Sequence, residues 1–359
     1  MHATTNELAI DMPATQLDRI LESSRRLEGQ RLATAVPKSC YDINVWRGLA
    51  GFLASVAVWG GGIYLISISP HWLLWIPLGL LSGLGGWGLH CIAHECGHAS
   101  FSKSRGFNSL IGHLSLVPML YPFNGWKHIH DMHHANTNSL EKDTDWRPVT
   151  RGIFRKLSLV DKAIYFGTRS IFFWLGTAHY QFKSGFRTDI FPKKSVRREV
   201  IRSLGFIAIV AAASVSLVVM HAGWLGVLKY IVLPWIGMHA WFSATTLMHH
   251  TSEEIPFLKA GDWTVNASKL LMTTDYRYPK WLHFLTHNIT IHTAHHVAPK
   301  VPFYRLFDAQ RSIKESYPGM LRERPFAWKD LYAAVSRCHL YDYESGFYEP
   351  FAGSAKPRG

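Results

Sequence analysis

Histidine side chains offer the clearest chemistry in this chain, since 21 of its 359 residues are histidines. Eight of them fall into three short clusters: His94 and His98; His130, His133 and His134; and His292, His295 and His296. The second and third clusters share the spacing HxxHH, for which chance predicts only about 0.07 occurrences at this histidine frequency. Imidazole is the commonest metal ligand among side chains. The pattern therefore predicts metal binding.

Helical geometry gives the spacing a meaning. A four-residue step returns to nearly the same side of a helix, so HxxHH gathers three imidazoles on one face and His94 faces the same way as His98. Eight imidazoles exceed what one tetrahedral zinc ion needs, and they suit a site with two metal ions. The four cysteines form no CxxC pair, which excludes a disulfide scaffold and a cysteine zinc site.

Two other classes of protein compete with this interpretation. The first cluster also reads HExxH, the helix motif of zinc peptidases, in which Glu95 would act as the base. An intramembrane zinc protease would leave both HxxHH clusters unexplained. It would also need a third zinc ligand, and no Asp or Glu lies inside the predicted spans. A histidine-rich membrane metal carrier would need polar residues along its spans, and the first two spans contain few.

Long uncharged segments must position these clusters. No charged residue occurs in the 47 residues from Gly48 to His94, which would form about 70 Å of helix, roughly twice the bilayer core. Pro70-His71 predicts a break into spans 48–69 and 72–93. A second hairpin is predicted from spans 203–220 and 224–248, joined by His221-Ala222-Gly223.

Two further apolar stretches, 107–126 and 164–182, contain polar residues, prolines or charges. We expect interfacial or re-entrant helices there, because one more span between the clusters would place histidines on opposite membrane faces. The predicted fold is thus an all-α integral membrane protein, with four transmembrane helices in two hairpins and a cytosolic helical cap that holds the histidine site.

We expect a single domain over residues 1–359. Its parts are a cytosolic N-terminal arm (1–47), the first hairpin (48–93), a cytosolic or interfacial cap (94–202), the second hairpin (203–248), and further cap with a tail (249–359). Basic residues avoid the hairpin tips, so the positive-inside rule places both termini in the cytosol. The net charge of +13 then reflects this cytosolic face, and no nucleic-acid partner is expected.

Longer strings around the clusters resemble the membrane fatty acid desaturase superfamily, in particular the acyl-lipid Δ12 (omega-6) and omega-3 desaturases of cyanobacteria, other bacteria and plants. These strings are AHECGHASFS (93–102), WKHIHDMHHANTN (126–138), DTDWRPVT (143–150), MHHTSEEIPF (248–257) and HNITIHTAHHVAPKVPFY (287–304). The resemblance covers roughly residues 89–304, and it implies a multi-pass protein, which we expect in a bacterial inner (cell) membrane.

The resemblance also implies a site with two non-haem iron ions. Its ligands would be His94, His98, His130, His133, His134, His292, His295 and His296, with a ninth at His249-His250, where we expect His250. Candidate partners of the ligand N–H groups are Glu95, Asp131, Asn136 and Asn288. Their alternative interpretation, as capping or exposed polar residues, stays open.

The implied activity is an O2-dependent desaturation of a lipid-linked acyl chain, for which we expect the Δ12 position, converting oleoyl to linoleoyl groups. The two electrons would come from an external donor, a ferredoxin or a cytochrome b5. An omega-3 desaturase, a fatty acyl hydroxylase or acetylenase, and a carotenoid oxygenase are the alternatives within the superfamily. The sequence does not indicate an oligomeric state.

Overall fold

The computed structural model describes residues 15–352, which are mostly helical. Residues 1–14 and 353–359, the outer parts of the predicted arm and tail, lie outside the described residues. The α-helices are α1 (Gln16–Arg26), α2 (Val45–Ile68), α3 (Trp75–Gly97), α4 (Arg105–Ser115), α5 (Phe123–Asn136), α6 (Arg151–Lys156), α7 (Leu159–Arg169), α8 (Gly176–Tyr180), α9 (Lys194–Val227), α10 (Leu233–His250), α11 (Val265–Leu271), α12 (Lys280–Leu285), α13 (His292–Val297), α14 (Leu306–Ser316) and α15 (Trp328–Arg337).

Five short strands accompany the helices, which the all-α expectation did not include. They are β1 (Val149–Thr150), β2 (Thr274–Arg277), β3 (Arg322–Pro325), β4 (Leu340–Tyr341) and β5 (Tyr348–Glu349). Strand β2 pairs in parallel with β3, with Thr274 opposite Arg322. Strand β4 lies between β1, which is parallel to it, and β5, which is antiparallel. The strands hold long connections in place and leave the framework helical.

Helices α2 and α3 form where the long uncharged segment was found. The side chain of Asn44 caps α2 by accepting hydrogen bonds from the N–H groups of Trp46 and Arg47. Helix α2 ends at Ile68, shortly before Pro70, because the residue that precedes a proline disfavours helical backbone. The two helices pack closely: a Cβ at Gly85 would overlap the backbone of Trp59.

Length and apolar composition mark three stretches of the described chain as candidate membrane spans: Val45–Ile68, Trp72–Gly97 and Lys194–His250. The third, of 57 residues, is too long for one crossing. Its helical backbone is interrupted at Gly223, where φ is 62° and ψ is −169°, within the predicted turn at 221–223. The stretches 107–126 and 164–182 are not among these spans; short helices with breaks between them occupy both.

Two packing regions connect the helices to the histidine clusters. Helices α3 and α10 lie in close contact, and a Cβ at Gly83 would overlap the backbone of Gly237. Outside the candidate spans, a buried apolar cluster joins the N-terminal segment, through Leu27 and Val36, to α11, α13 and α14. The ends of α3 and α10 thereby lie where their histidines meet those of α5 and α13.

Candidate metal centre

Nine histidines come together in two neighbouring groups. The first histidine group consists of His94, His98, His130, His134 and His295, which each have a ring nitrogen within 4.8 Å of the others. The same limit joins His133, His250 and His296, and the Nε2 atom of His292 lies 3.0 Å from that of His250 and 3.1 Å from that of His296. We call these four the second histidine group. The imidazoles of His134 and His296 stack at 4.4 Å, where the two groups meet.

Each HxxHH cluster is divided between the two groups in the same manner. The first and last histidines of a cluster are about 40° apart around the helix, whereas the middle one is about 100° from the last. On α5, His130 and His134 accordingly join the first group while His133 joins the second. On α13, His296 joins the second group with His292 beside it, while His295 joins the first. One helix therefore contributes to both groups.

The tautomers of His250 and His292 in the second group indicate a binding site for a cation. The Nδ1 atoms of His250 and His292 each lie 3.1 Å from a backbone carbonyl, of Met272 and Ile289 respectively. A carbonyl only accepts hydrogen bonds, so each Nδ1 carries the proton and each neutral Nε2 presents a lone pair. These two Nε2 atoms face each other at 3.0 Å. Two nitrogens bound to one ion at about 2.1 Å and about 90° apart would show this separation.

The first group contains ring nitrogens that lack protein partners. The Nε2 atom of His134 lies 3.0 Å from the Nε2 atoms of both His130 and His295. His94 is only 4% exposed, and neither of its ring nitrogens has a hydrogen-bond partner within the described residues. Buried polar atoms are normally satisfied. The donor set therefore fits a metal ion, which would replace the missing partners.

Burial also favours the protonation state that metal binding requires. Desolvation, reinforced by neighbouring imidazoles, lowers the pKa of His130, His134, His295 and His296 well below the usual value. These side chains are neutral near pH 7 and can use a ring nitrogen as a ligand.

Asp143 is the carboxylate that orients a histidine of the second group. Its Oδ1 lies 2.8 Å from Nδ1 of His133, and both side chains are almost fully buried. Burial alone lowers the pKa of His133, but the charge of Asp143 and its hydrogen bond outweigh burial and raise it. The carboxylate also accepts hydrogen bonds from the backbone N–H groups of Asn138 and Asp145. It thus fixes His133 with Nε2 directed toward the group.

The four polar residues expected beside the ligands form their hydrogen bonds elsewhere. The buried carboxylate of Glu95 accepts from Ser100 Oγ at 2.8 Å and from the N–H of Phe303 at 2.9 Å. Asp131 pairs with Lys127, at 2.8 Å. The amide groups of the two asparagines donate to backbone carbonyls: Asn136 to Met132 and Asn288 to Phe303. Glu95 therefore has a structural partner on each side, which does not suit a peptidase base.

Two residues near the groups, Asp143 and Asp275, were not predicted, and His249 was named only as the neighbour of the chosen His250. Asp143 belongs to the string DTDWRPVT, which was noticed only as part of the resemblance. Asp275 accepts hydrogen bonds from the N–H groups of His292 and Thr293 and so holds the start of α13. His249 stacks on His292 at 4.0 Å, while its neighbour His250 has the Nε2 contact. The sequence signal for His249 was its pairing with His250 in MHH.

An apolar cavity reaches both histidine groups. Its wall includes His94, His130, His133 and His292. Apolar and aromatic side chains provide most of the remaining surface, from Trp87, Cys91, Tyr121, Trp126, Ile129, Phe242 and Ile289, and polar residues such as Thr144, Asp145 and Thr177 complete the wall. Trp87 stacks on Phe242 at 4.7 Å, and Trp126 stacks on His130 at 4.9 Å. A hydrocarbon chain is the kind of ligand that such a wall suits.

Comparisons with known proteins agree with this geometry. The family model described as fatty acid desaturase matches residues 70–326. The chain is 36% identical over 329 residues to an sn-1 oleoyl-lipid 12-desaturase from Picosynechococcus sp., covering 91% of this chain and 94% of that protein. It is 35% identical to the chloroplastic omega-6 fatty acid desaturase of Arabidopsis thaliana, covering 88% and 70%.

A third relative is an sn-1 acyl-lipid omega-3 desaturase (ferredoxin) from Nostoc sp., with 31% identity over 86% of this chain and 87% of that protein. The family model spans more than half of the chain, and it contains all nine grouped histidines. The chain belongs to the fatty acid desaturase family.

Proposed function

We propose that this enzyme is an acyl-lipid Δ12 desaturase, which converts lipid-linked oleoyl groups to linoleoyl groups. The observation that carries the proposal is the pair of histidine groups, whose members are buried or half-buried, in the wall of an apolar cavity. The reaction consumes one O2, two electrons and two protons, and it forms one cis double bond and two molecules of water. The relatives named 12-desaturase and omega-6 desaturase support the position.

Two non-haem iron ions are the proposed metals, with O2 as co-substrate. One would be held by the first histidine group and the other by the second, so that all nine side chains act as ligands. The chemistry supplied by the ions is the reduction of O2 and the removal of hydrogen from an unactivated chain, which no acidic or basic side chain achieves. A single tetrahedral zinc ion, as in a protease, would leave most of these ligands unused.

The protein's own residues would position the chain and exclude water. Trp87, Phe242 and Ile289 provide apolar contacts along the cavity wall. Asp143 would hold His133 in the tautomer whose Nε2 is free. The close packing of α3 against α10 would hold Trp87 and Phe242 in place, and their rings stack at 4.7 Å.

The alternative activities within the family differ from Δ12 desaturation in the product that they form from the acyl chain or carotenoid. An omega-3 desaturase is supported by the relative from Nostoc sp., whose identity to this chain is lower. Fatty acyl hydroxylation, acetylenic bond formation and carotenoid oxygenation use a similar reduction of O2, and product analysis distinguishes all of them.

We propose four membrane spans, with the 57-residue stretch crossing twice around Gly223, and both termini in the cytosol. The pattern of basic residues and the backbone break at Gly223 support this topology. The remaining residues would form one cytosolic cap over a single domain. A bacterial inner (cell) membrane is the proposed location, and a ferredoxin or a cytochrome b5 is the proposed electron donor.

Expression in a host that makes oleate but no linoleate tests the activity. We expect a new fatty acid with double bonds at positions 9 and 12. A hydroxylated product, or unchanged lipids when a working donor is present, would refute the Δ12 assignment. His133→Ala should abolish the product while the protein still enters the membrane.

Metal analysis of the purified protein tests the centre separately from its activity. About two iron ions per chain would support two occupied groups. One zinc ion per chain would refute the proposed centre and would favour a protease or a metal carrier.

A further inference from the structure

A wide groove lies beside the first histidine group and shares no lining residue with the apolar cavity. Its walls come from the end of α3 and the two residues after it, from α4, α5 and the start of α9, and from the turn at Pro299-Lys300. Of the nine grouped histidines, His98 alone lines it. The groove therefore approaches the centre from a side that the apolar cavity does not use.

The charge of the groove is predominantly positive. Its walls include the exposed cations Arg105, Arg202 and Lys300, and within residues 15–352 none of the three contacts a carboxylate. The other charged groups at the groove are engaged locally. Lys127 pairs with Asp131 at 2.8 Å, and Glu199 lies 3.2 Å from the imidazole of His128. Three cations without a carboxylate partner in the described residues thus line the groove together with His98.

We propose that a small acidic protein, which carries one electron at a time, docks in this groove and delivers its electrons next to His98. The inference rests on the proposed function, because that reaction needs two electrons per double bond. Two carrier molecules would each be oxidised by one electron in turn. The electrons, with two protons and two hydrogen atoms from the acyl chain, reduce one O2 to two molecules of water.

Charge complementarity favours an acidic protein as the occupant. Complementary potentials accelerate the encounter of a carrier with its partner and fix its orientation. The lipid substrate, in contrast, needs the apolar cavity. Separate openings would allow a carrier to dock while an acyl chain is bound, as a reaction with two successive electron deliveries requires.

The test measures binding to the iron-loaded, full-length protein in lipid nanodiscs without oxygen, with an oxidised acidic plant-type [2Fe–2S] ferredoxin as the probe. The variant is Arg105→Glu/Lys300→Glu, since both residues are exposed and lie outside the candidate spans. Glutamate is also favourable at position 105, the first residue of α4. The matched control is Lys280→Glu/Arg311→Glu, which makes the same charge change in a different groove, beside Tyr304.

We expect the groove variant to raise the Kd for ferredoxin about tenfold or more and to weaken its dependence on salt. The control should change the Kd about twofold at most. An unchanged Kd in the groove variant, or an equal rise in the control, would overturn the proposal. The proposal would also be overturned if ferredoxin did not bind to the unmutated protein. The same holds if anionic lipid vesicles displaced bound ferredoxin more effectively than salt does.

A single turnover separates this inference from the proposed function. The iron-loaded protein is reduced chemically without oxygen, and oxygen is then admitted in the presence of oleoyl lipid. If ferredoxin binds as expected but no double bond forms, the proposed function fails while the docking surface stands. If linoleoyl lipid forms but the two variants bind ferredoxin equally, the docking surface fails while the proposed function stands.

Discussion

Replacing Asp143 by asparagine would test most directly whether its carboxylate orients His133 in the second histidine group. Asp143 accepts three hydrogen bonds: from Nδ1 of His133 at 2.8 Å, from the N–H of Asn138 at 2.6 Å and from the N–H of Asp145 at 3.0 Å. An amide has only one oxygen. If that oxygen serves His133 and Asp145, the amide N–H2 faces the N–H of Asn138, and two donors then oppose each other.

The magnitude follows from these contacts. One unsatisfied buried donor costs about 1–3 kcal/mol, and replacing a charged acceptor by a neutral one weakens the bond to His133 by about 1 kcal/mol. We therefore expect Asp143→Asn to lower the free energy of unfolding by about 2–4 kcal/mol. Loss of such a partner of a metal ligand typically lowers metal affinity about 10- to 100-fold.

The assay is a competition with a chelator, followed by measurement of iron per chain, together with the midpoint of thermal unfolding. Asp189→Asn is the matched control, because Asp189 is exposed and pairs with Arg187. It should leave both quantities unchanged. If Asp143→Asn retained metal affinity within about twofold of the unmutated protein, Asp143 would not orient a ligand and the reasoning would be refuted.

Three further changes have specific expected outcomes. His250→Ala should release about one metal ion per chain, whereas His249→Ala should retain both, as measured by metal analysis; equal losses would contradict the choice of His250. Gly83→Val should force α3 away from α10, which would lower the free energy of unfolding by about 1–3 kcal/mol and lower the midpoint of thermal unfolding. Gly60→Val, where a Cβ meets open space, should leave this midpoint nearly unchanged. Ile129→Trp should fill part of the cavity and raise KM for oleoyl lipid without changing the metal content, and an unchanged KM would exclude Ile129 from the substrate wall.

Local periodicity explains why much of this site was predictable. The HxxHH spacing brings imidazoles close together only on a helix, and both clusters lie on helices, α5 and α13. Family membership, and with it the desaturase class of the enzyme, is confirmed by the family model and the relatives. The choice of His250 is consistent with its Nε2 contact but stays a prediction.

Other features depend on contacts between distant segments. The sequence placed three imidazoles of a cluster on one face, but it did not predict that His133 would join a different group from its neighbours on α5. That division requires α10 and α13 to bring His250 and His296 next to His133. Asp143 reaches His133 only because the chain reverses after α5, where Asn138 has a φ of 54°. No helical or strand period describes such a turn.

Glu95 shows why a motif alone is a weak guide to a role. It lies one position after His94, about 100° further around α3, so the two side chains point in different directions. The carboxylate consequently meets Ser100 and the N–H of Phe303 instead of a histidine nitrogen. The hydrogen bond to Phe303 links the end of α3 to the segment that follows α13. The HExxH motif does not predict this structural role.

The two histidine groups also bear on how the chain is held together. Their ligands come from α3 and the residue after it, and from α5, α10 and α13, so one pair of ions would connect candidate spans with the remaining helices. Without a cation, the lone pairs of His250 and His292 face each other at 3.0 Å, and that contact is unfavourable. With a cation the same contact becomes a pair of ligand bonds. Metal binding and stability of this region must therefore be coupled, because the ion binds an arrangement that only the folded chain provides.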